Sequence, residues 1–216
     1  MKKSFLFALT LAALSCAPGA DKLQSGDLIF VGIPVDYSLE EGSAAEAISA
    51  STGGGELNLI HVAIADVAPD GAYVIDATMA RGVDRHPLDT FLMDFTLKDG
   101  SMPVFIVKRL KKGVEAPGCV QNAIGFCGEA YDNAFLEGNG AHYCSELVRD
   151  SYLAPDGSCI FPNAPMNWKD SSGEIPLYWT QLFALLGMEV PQGEPGTNPQ
   201  DMAGSPLLED TGVSIL

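Results

Sequence analysis

The chain of 216 residues is 47% hydrophobic and 19% charged, which is enough apolar content for one sizeable core and unlike a disordered segment. Twelve Lys and Arg stand against 28 Asp and Glu, and the formal charge of −16 repels phosphate backbones, which argues against nucleic acid as a partner. Its 23 Gly and 14 Pro follow no period and no internal repeat is found, so collagen-like and low-complexity readings fall away.

Lys2 and Lys3 precede a short apolar run over residues 5–14, and small residues at Ala13 and Ser15 precede Cys16. That is the pattern of a secretory signal over residues 1–15, and the run falls short of the roughly 20 apolar residues a membrane span needs. Ala13-Leu14-Ser15-Cys16 resembles a bacterial lipobox, with Ala13 where leucine is commonest. Cys16 is then lipidated, residues 16–23 form a tether and residues 24–216 a single domain; ordinary cleavage after a small-x-small triplet is the alternative. The expected location is the bacterial cell envelope, as a lipoprotein that meets the membrane through its anchor.

Chain order predicts a strand-rich first half. A turn at Ser25-Gly26-Asp27 leads into a strand over residues 28–32, followed by a helix over 39–50 and a glycine break at 53–55. Strands over 59–66 and 72–78 flank the turn Ala68-Pro69-Asp70-Gly71. A helix is expected over 88–95, and a strand buried on both faces over 102–110. Val120, Ile124 and Cys127 recur at helical spacing, and further helices follow over 144–153 and 177–186, with Trp168, Tyr178, Trp179 and Phe183 packing the last one. Cys119, Cys127 and Cys159 form no Cys-x-x-Cys pair and read as small buried hydrophobes. His86 reads as a surface turn and His142 as a loop or rim residue, and three histidines without a His-Glu-x-x-His motif give no zinc site.

The hairpin carries the first chemical signal. Side chains alternate faces along a strand, so Ile60, Val62 and Ile64 share one face and His61 the other, with Ala63 and Ala65. If the turn is residues 68–71, paired positions sum to 139; Ala63 then opposes Asp76, and His61 and Asp76 are diagonal neighbours on one face. A sum of 137 sets them directly opposite, and either way a carboxylate reaches the imidazole to fix its tautomer and stabilise its charged form. A solvated cross-strand pair explains the same pattern. The second signal is Cys144, where the Gly-containing stretch 139–143 turns into a helix. A thiol there meets the positive end of the helix dipole and unpaired N–H groups able to hold an oxyanion. A cysteine on the helix's inner face is the plainer alternative.

Gly26-Asp27-Leu28-Ile29-Phe30, Ile60-His61-Val62-Ala63-Ile64, Val74-Ile75-Asp76-Ala77 with Gly82-Val83, Tyr131-Asp132 and Tyr143-Cys144-Ser145-Glu146-Leu147-Val148 resemble, in that order, the motifs of the YiiX/YaeF-type permuted papain-like amidases of the NlpC/p60 superfamily. Gly196-Thr197-Asn198-Pro199-Gln200-Asp201 is similar to that family's closing segment. The resemblance implies an α+β, circularly permuted papain-like fold: a small antiparallel, barrel-like sheet packed by helices, with the cleft between the Cys144 helix and the His61 strand. It implies Cys144 as nucleophile, His61 as general base and then acid, Asp76 as the orienting residue where the family more often has glutamate, and no cofactor. Tyr143 lines the substrate pocket or packs the core. The expected activity is hydrolysis of an amide in a cell-wall peptide or an acylated amino acid. A lipid acyltransferase or thioesterase on the same fold, or a non-catalytic peptide- or lipid-binding lipoprotein, are the alternatives.

Overall fold

A computed structural model describes residues 22–53 and 55–216; the expected signal and Cys16 lie outside the described residues. In chain order the elements are β1 (Leu28–Pro34), α1 (Ala44–Thr52), β2 (Leu57–Ala68), β3 (Gly71–Thr78), β4 (Gly82–Pro87), α2 (Leu88–Asp94), β5 (Val104–Leu110) and α3 (Cys119–Gly125). There follow β6 (Ala130–Tyr131), β7 (Ala141–His142), α4 (Cys144–Ser151), β8 (Ala164–Pro165), α5 (Leu177–Leu185), β9 (Pro195–Gly196), α6 (Pro199–Ala203) and β10 (Leu208–Asp210). Six strands make one antiparallel sheet in the order β10-β5-β1-β2-β3-β4, the expected α+β architecture.

β1 sits between β2 and β5, and its run Leu28 to Val31 is buried on both faces. Leu28 and Phe30 join Val62, Ile64 and Ile75 on the face covered by α3, α4 and α6, where Leu147, Val148 and Tyr152 point inward as expected. Ile29 and Val31 join Ala63, Ala65 and Val74 on the opposite face, under Phe91 of α2. The Gly26-Asp27 motif is structural: the buried Asp27 carboxylate takes both Nε (2.6 Å) and an Nη (2.8 Å) of Arg109 on β5, a bidentate clamp that fixes the entry to β1. Gly82 is structural too. Its backbone is left-handed (φ 67°) and a Cβ there would stand 2.2 Å from the Glu129 carbonyl oxygen, so no side chain fits.

Several elements differ from the sequence reading for identifiable reasons. α1 starts at Ala44 because Ser43 caps it: Ser43 Oγ accepts from Glu46 N (3.2 Å) and Glu46 accepts from Gly42 N (2.6 Å). β5 is not buried on both faces. Only Val107 is fully covered and Val104 is 40% exposed, because β5 lies next to the edge strand β10. α3 ends at Gly125, which leaves Cys127 outside it and exposed, while Cys119 and Cys159 are half-buried. Ile60 does not share a face with Val62 and Ile64. The β1–β2 register jumps from Val31↔His61 to Gly32↔Leu59, a bulge that makes Ile60 the extra residue. Leu59 takes the place Ile60 was given, and Ile60 turns toward the other face beside His61.

A third cluster has an aromatic centre. Phe135 lies within 5.0–5.6 Å of the rings of Tyr143, Trp168 and Trp179, and Trp168 meets Trp179 edge-on at 4.7 Å. Phe135 has φ 54°, a left-handed conformation that costs a bulky residue about 1–2 kcal/mol. The buried Asp132 holds that turn by accepting from Ala134 N and Leu136 N, both at 2.8 Å. The cluster joins α1 to α5 and forms one wall of the cleft described next.

Candidate active site

The hairpin register is the expected one, with pairs running from Ala68↔Gly71 to Ile64↔Ile75. The ladder ends there although both strands continue, β2 pairing onward with β1 and β3 with β4. A cleft of about 260 Å³ opens at this split, lined by Ile60 and His61 from one strand and Ala77, Thr78 and Met79 from the loosened end of the other. Cys144, the first residue of α4, enters from the helix side. The split therefore lets a thiol on one face of the sheet meet an imidazole on the other.

His61 Nε2 lies 2.7 Å from Asp76 Oδ2, and both side chains are buried. With Nε2 engaged by the carboxylate, Nδ1 is the ring atom left for the thiol. Burial alone would favour neutral imidazole, but the Cys144 charge, the hydrogen bond to Asp76, a hydrogen bond from the ring to the Cys144 sulfur and the Asp76 charge together push the His61 pKa up to about 10. The ring stacks against Phe95 at 4.7 Å, and Phe91 lies behind at 6.2 Å, so it is held by packing as well as by charge. The three residues singled out from the sequence are thus brought together.

The residues around Cys144 carry the α4 terminus. Tyr143 is its N-cap; its ring lines the cleft, and its hydroxyl accepts from Thr197 N at 3.0 Å, tying α4 to the segment after β9. Gly196 allows that approach, since a Cβ would lie 2.9 Å from the Tyr143 oxygen. Ser145 is fully buried, with Thr197 Oγ1 3.0 Å from its Oγ. Burial pushes the Glu146 carboxyl up to about 8, with Asp132 and Asp150 adding to the rise and His142 opposing it. That rise weakens the charge Glu146 sets against a thiolate two residues away.

Two histidines had other readings in the sequence. His142 is not on a rim: it is buried in β7, with Nδ1 2.8 Å from Glu129 and Nε2 3.4 Å from Asp150, both nitrogens engaged away from the thiol. His86 is not in a surface turn but buried on β4, behind Asp76. Tyr131 lines the cleft, and burial together with the Cys144 charge pushes its hydroxyl well above the usual range, so it remains an O–H donor. No spacing rule pointed to His86, whose partner lies across a strand pair. Trp168 and Trp179, expected to pack α5, do so and also edge the cleft.

A cysteine helix that follows the histidine strand in the chain, packed on an antiparallel sheet, defines a permuted papain-like fold. The chain belongs to the permuted papain-like amidases of the YaeF/YiiX type, the C92 peptidase family, whose profile matches residues 22–211. Among solved structures, the crystal structure of the metalloprotein YiiX from Escherichia coli O157:H7 is similar, with a TM-score of 0.65 and 23% identity over 87% of this chain and 95% of that one. No curated protein matches. Family membership makes the protein a cysteine hydrolase of the amidase class.

Proposed function

We propose that the protein hydrolyses an amide bond through Cys144, His61 and Asp76. The observation that carries this is the shared cleft, where a thiol at the start of an eight-residue helix faces an imidazole whose other nitrogen is held 2.7 Å from a buried carboxylate. The Cys144 thiolate attacks the carbonyl carbon, and the oxyanion is held by backbone N–H at the start of α4 and by the Tyr131 hydroxyl. Imidazolium Nδ1–H protonates the leaving nitrogen and the C–N bond breaks. His61 then takes a proton from water, which attacks the thioester and frees the acid and the thiol. YiiX is described as a metalloprotein; in this chain no three His, Cys, Asp or Glu are grouped to hold an ion among the described residues, and no step is routed through a metal.

The lining of the cleft supports one of the two expected substrate classes. It holds aromatic, aliphatic and small polar residues with Tyr143 among them, and no Asp, Glu, Lys or Arg among the described residues. A charged wall peptide would be desolvated there without a partner, whereas an apolar acyl group gains by burial. The preferred substrate is therefore an amino acid N-acylated by a compact apolar group. The test is a panel of N-acyl amino acids and wall peptides assayed for released amine: apolar acyl amides should exceed charged peptides by at least about tenfold in kcat/KM, roughly the worth of burying two methylenes. Equal rates would contradict the acyl assignment, product formed only with an added amine or lipid acceptor would make it a transferase, and none with either would favour a binding protein.

We place the protein in the bacterial envelope, tethered through lipid on Cys16. Among the described residues no helix is long and apolar enough to cross a membrane, so on this reading the anchor alone holds it. Cys16→Ser should move the protein from the membrane to the soluble fraction, and unchanged membrane association would remove the anchor from the account.

A further inference from the structure

Asp76 has a second oxygen that the triad does not use. Its Oδ1 is buried without a hydrogen-bond partner among the described residues, and so is Nδ1 of His86. The two orphaned atoms face each other 3.8 Å apart. Strand pairing puts them there: Val74↔His86 and Asp76↔Asp84 set His86 diagonal to Asp76 on the same face of β3 and β4. A buried donor and a buried acceptor left unmade each cost about 1–3 kcal/mol, so two of them in register are not an accident of packing.

The surroundings of His86 decide which nitrogen carries its proton. Nε2 lies 3.5 Å from an Arg81 guanidinium nitrogen, which can only donate, so Nε2 is the acceptor and the neutral ring has its proton on Nδ1. That N–H has two carboxylate oxygens in range, the buried Asp76 Oδ1 at 3.8 Å and, on its own strand, the more exposed Asp84 Oδ2 at 3.7 Å. The other charge facing it is Asp94 of α2, reached through its ion pair with Arg81. The present 3.8 Å exceeds hydrogen-bond length, and a shift of about 1 Å closes it.

We propose that His86 is a positioning residue for the Cys144–His61 pair, acting through Asp76 by donating its Nδ1–H to the carboxylate oxygen that His61 leaves free. The inference rests on the reading of His61 as the base for Cys144. With both oxygens held, the carboxylate keeps its plane and stays on Nε2 of His61 when the imidazolium forms. With His86 removed, Asp76 is free to turn toward other donors and the imidazolium loses its fixed partner.

The test is the rate of Cys144 alkylation by iodoacetamide across pH, resolved by peptide mass, in wild type, His86→Phe and His86→Asn. Phenylalanine keeps a ring and removes the donor; asparagine keeps an amide N–H near the position of Nδ1. Neutral-pH labelling should fall roughly tenfold in His86→Phe, the order expected for one hydrogen bond to a charged group, and return to within about twofold of wild type in His86→Asn. A merely structural role would lower the denaturation midpoint and leave the labelling profile in place. Wild-type labelling in a folded His86→Phe protein, or equal loss in both variants, overturns the proposal. If His86→Phe does not fold, nitrogen-15 NMR of the wild-type histidines decides: the Nδ1–H tautomer of His86 is required, and the Nε2–H tautomer contradicts it. Labelling insensitive to His61→Ala would instead defeat the parent reading, so the two failures are distinguishable.

Discussion

His61→Ala should lower amide turnover roughly 10²–10⁴-fold, the range for loss of a positioned acid and base, with little change in substrate affinity. The ring works in both halves of the reaction, and its place is held by Asp76 and by packing against Phe95. The pH dependence follows from its environment. A histidine whose pKa is raised to about 10 stays charged through neutrality, so wild-type turnover loses its general acid only as the pH rises through about 10. The fold responds with the same sign: stabilisation from the charged ring is fully present below the unfolded value of about 6.5 and disappears as the pH rises through about 10. An alkaline limb of turnover near pH 7 would show that the thiolate and Asp76 do not hold the proton as described.

Trp168→Ala should destabilise the protein by about 3–5 kcal/mol, read from urea unfolding. The side chain is fully buried among Phe135, Trp179 and Phe183, with ring centroids 5.1, 4.7 and 5.1 Å away. Its Nε1–H donates to the Pro191 carbonyl at 2.9 Å, and deletion removes the shorter of the two hydrogen bonds on that buried acceptor, the other coming from Glu194 N at 3.3 Å. Trp168→Phe keeps most of the apolar contact and should lose less than half as much. The same deletion enlarges the cleft, because Trp168 is part of its wall. A loss under about 1 kcal/mol would mean that the aromatic wall is loosely packed and does not fix the acyl site.

What the sequence made legible depended on whether the signal was local. The turn at residues 68–71 set the β2–β3 register, and period-two alternation put His61 and Asp76 on one face, as the structure has them. The start of α4 at Cys144 was legible from the Gly-containing stretch before it. The bulge at Ile60 was not, because an inserted residue leaves no mark in an apolar run, yet it turns Ile60 into the cleft beside His61. The split between β2 and β3 was equally hidden, since each strand continues in sequence after they part, β2 on to β1 and β3 on to β4. His86 was misread because Arg85 and Pro87 suggest a turn, whereas long-range pairing with Val74 buries it. The family motifs divided in the same way: Asp27 and Gly82 proved to hold the backbone, while His61 and Cys144 line the cleft and Asp76 stands behind His61.

The central claim is that Cys144 is activated by His61, and thiol reactivity tests it without a substrate. Limiting iodoacetamide is applied across pH to wild type and His61→Ala, with labelling resolved by peptide. Cys127, exposed and with its thiol pushed above the usual range mainly by partial burial, serves as the internal control. The account predicts rapid labelling of Cys144 near neutral pH that collapses in the variant while Cys127 is unchanged. Labelling of Cys144 that appears only above about pH 8.5, as for an ordinary thiol, and is indifferent to His61 would contradict it and leave the fold a scaffold for binding.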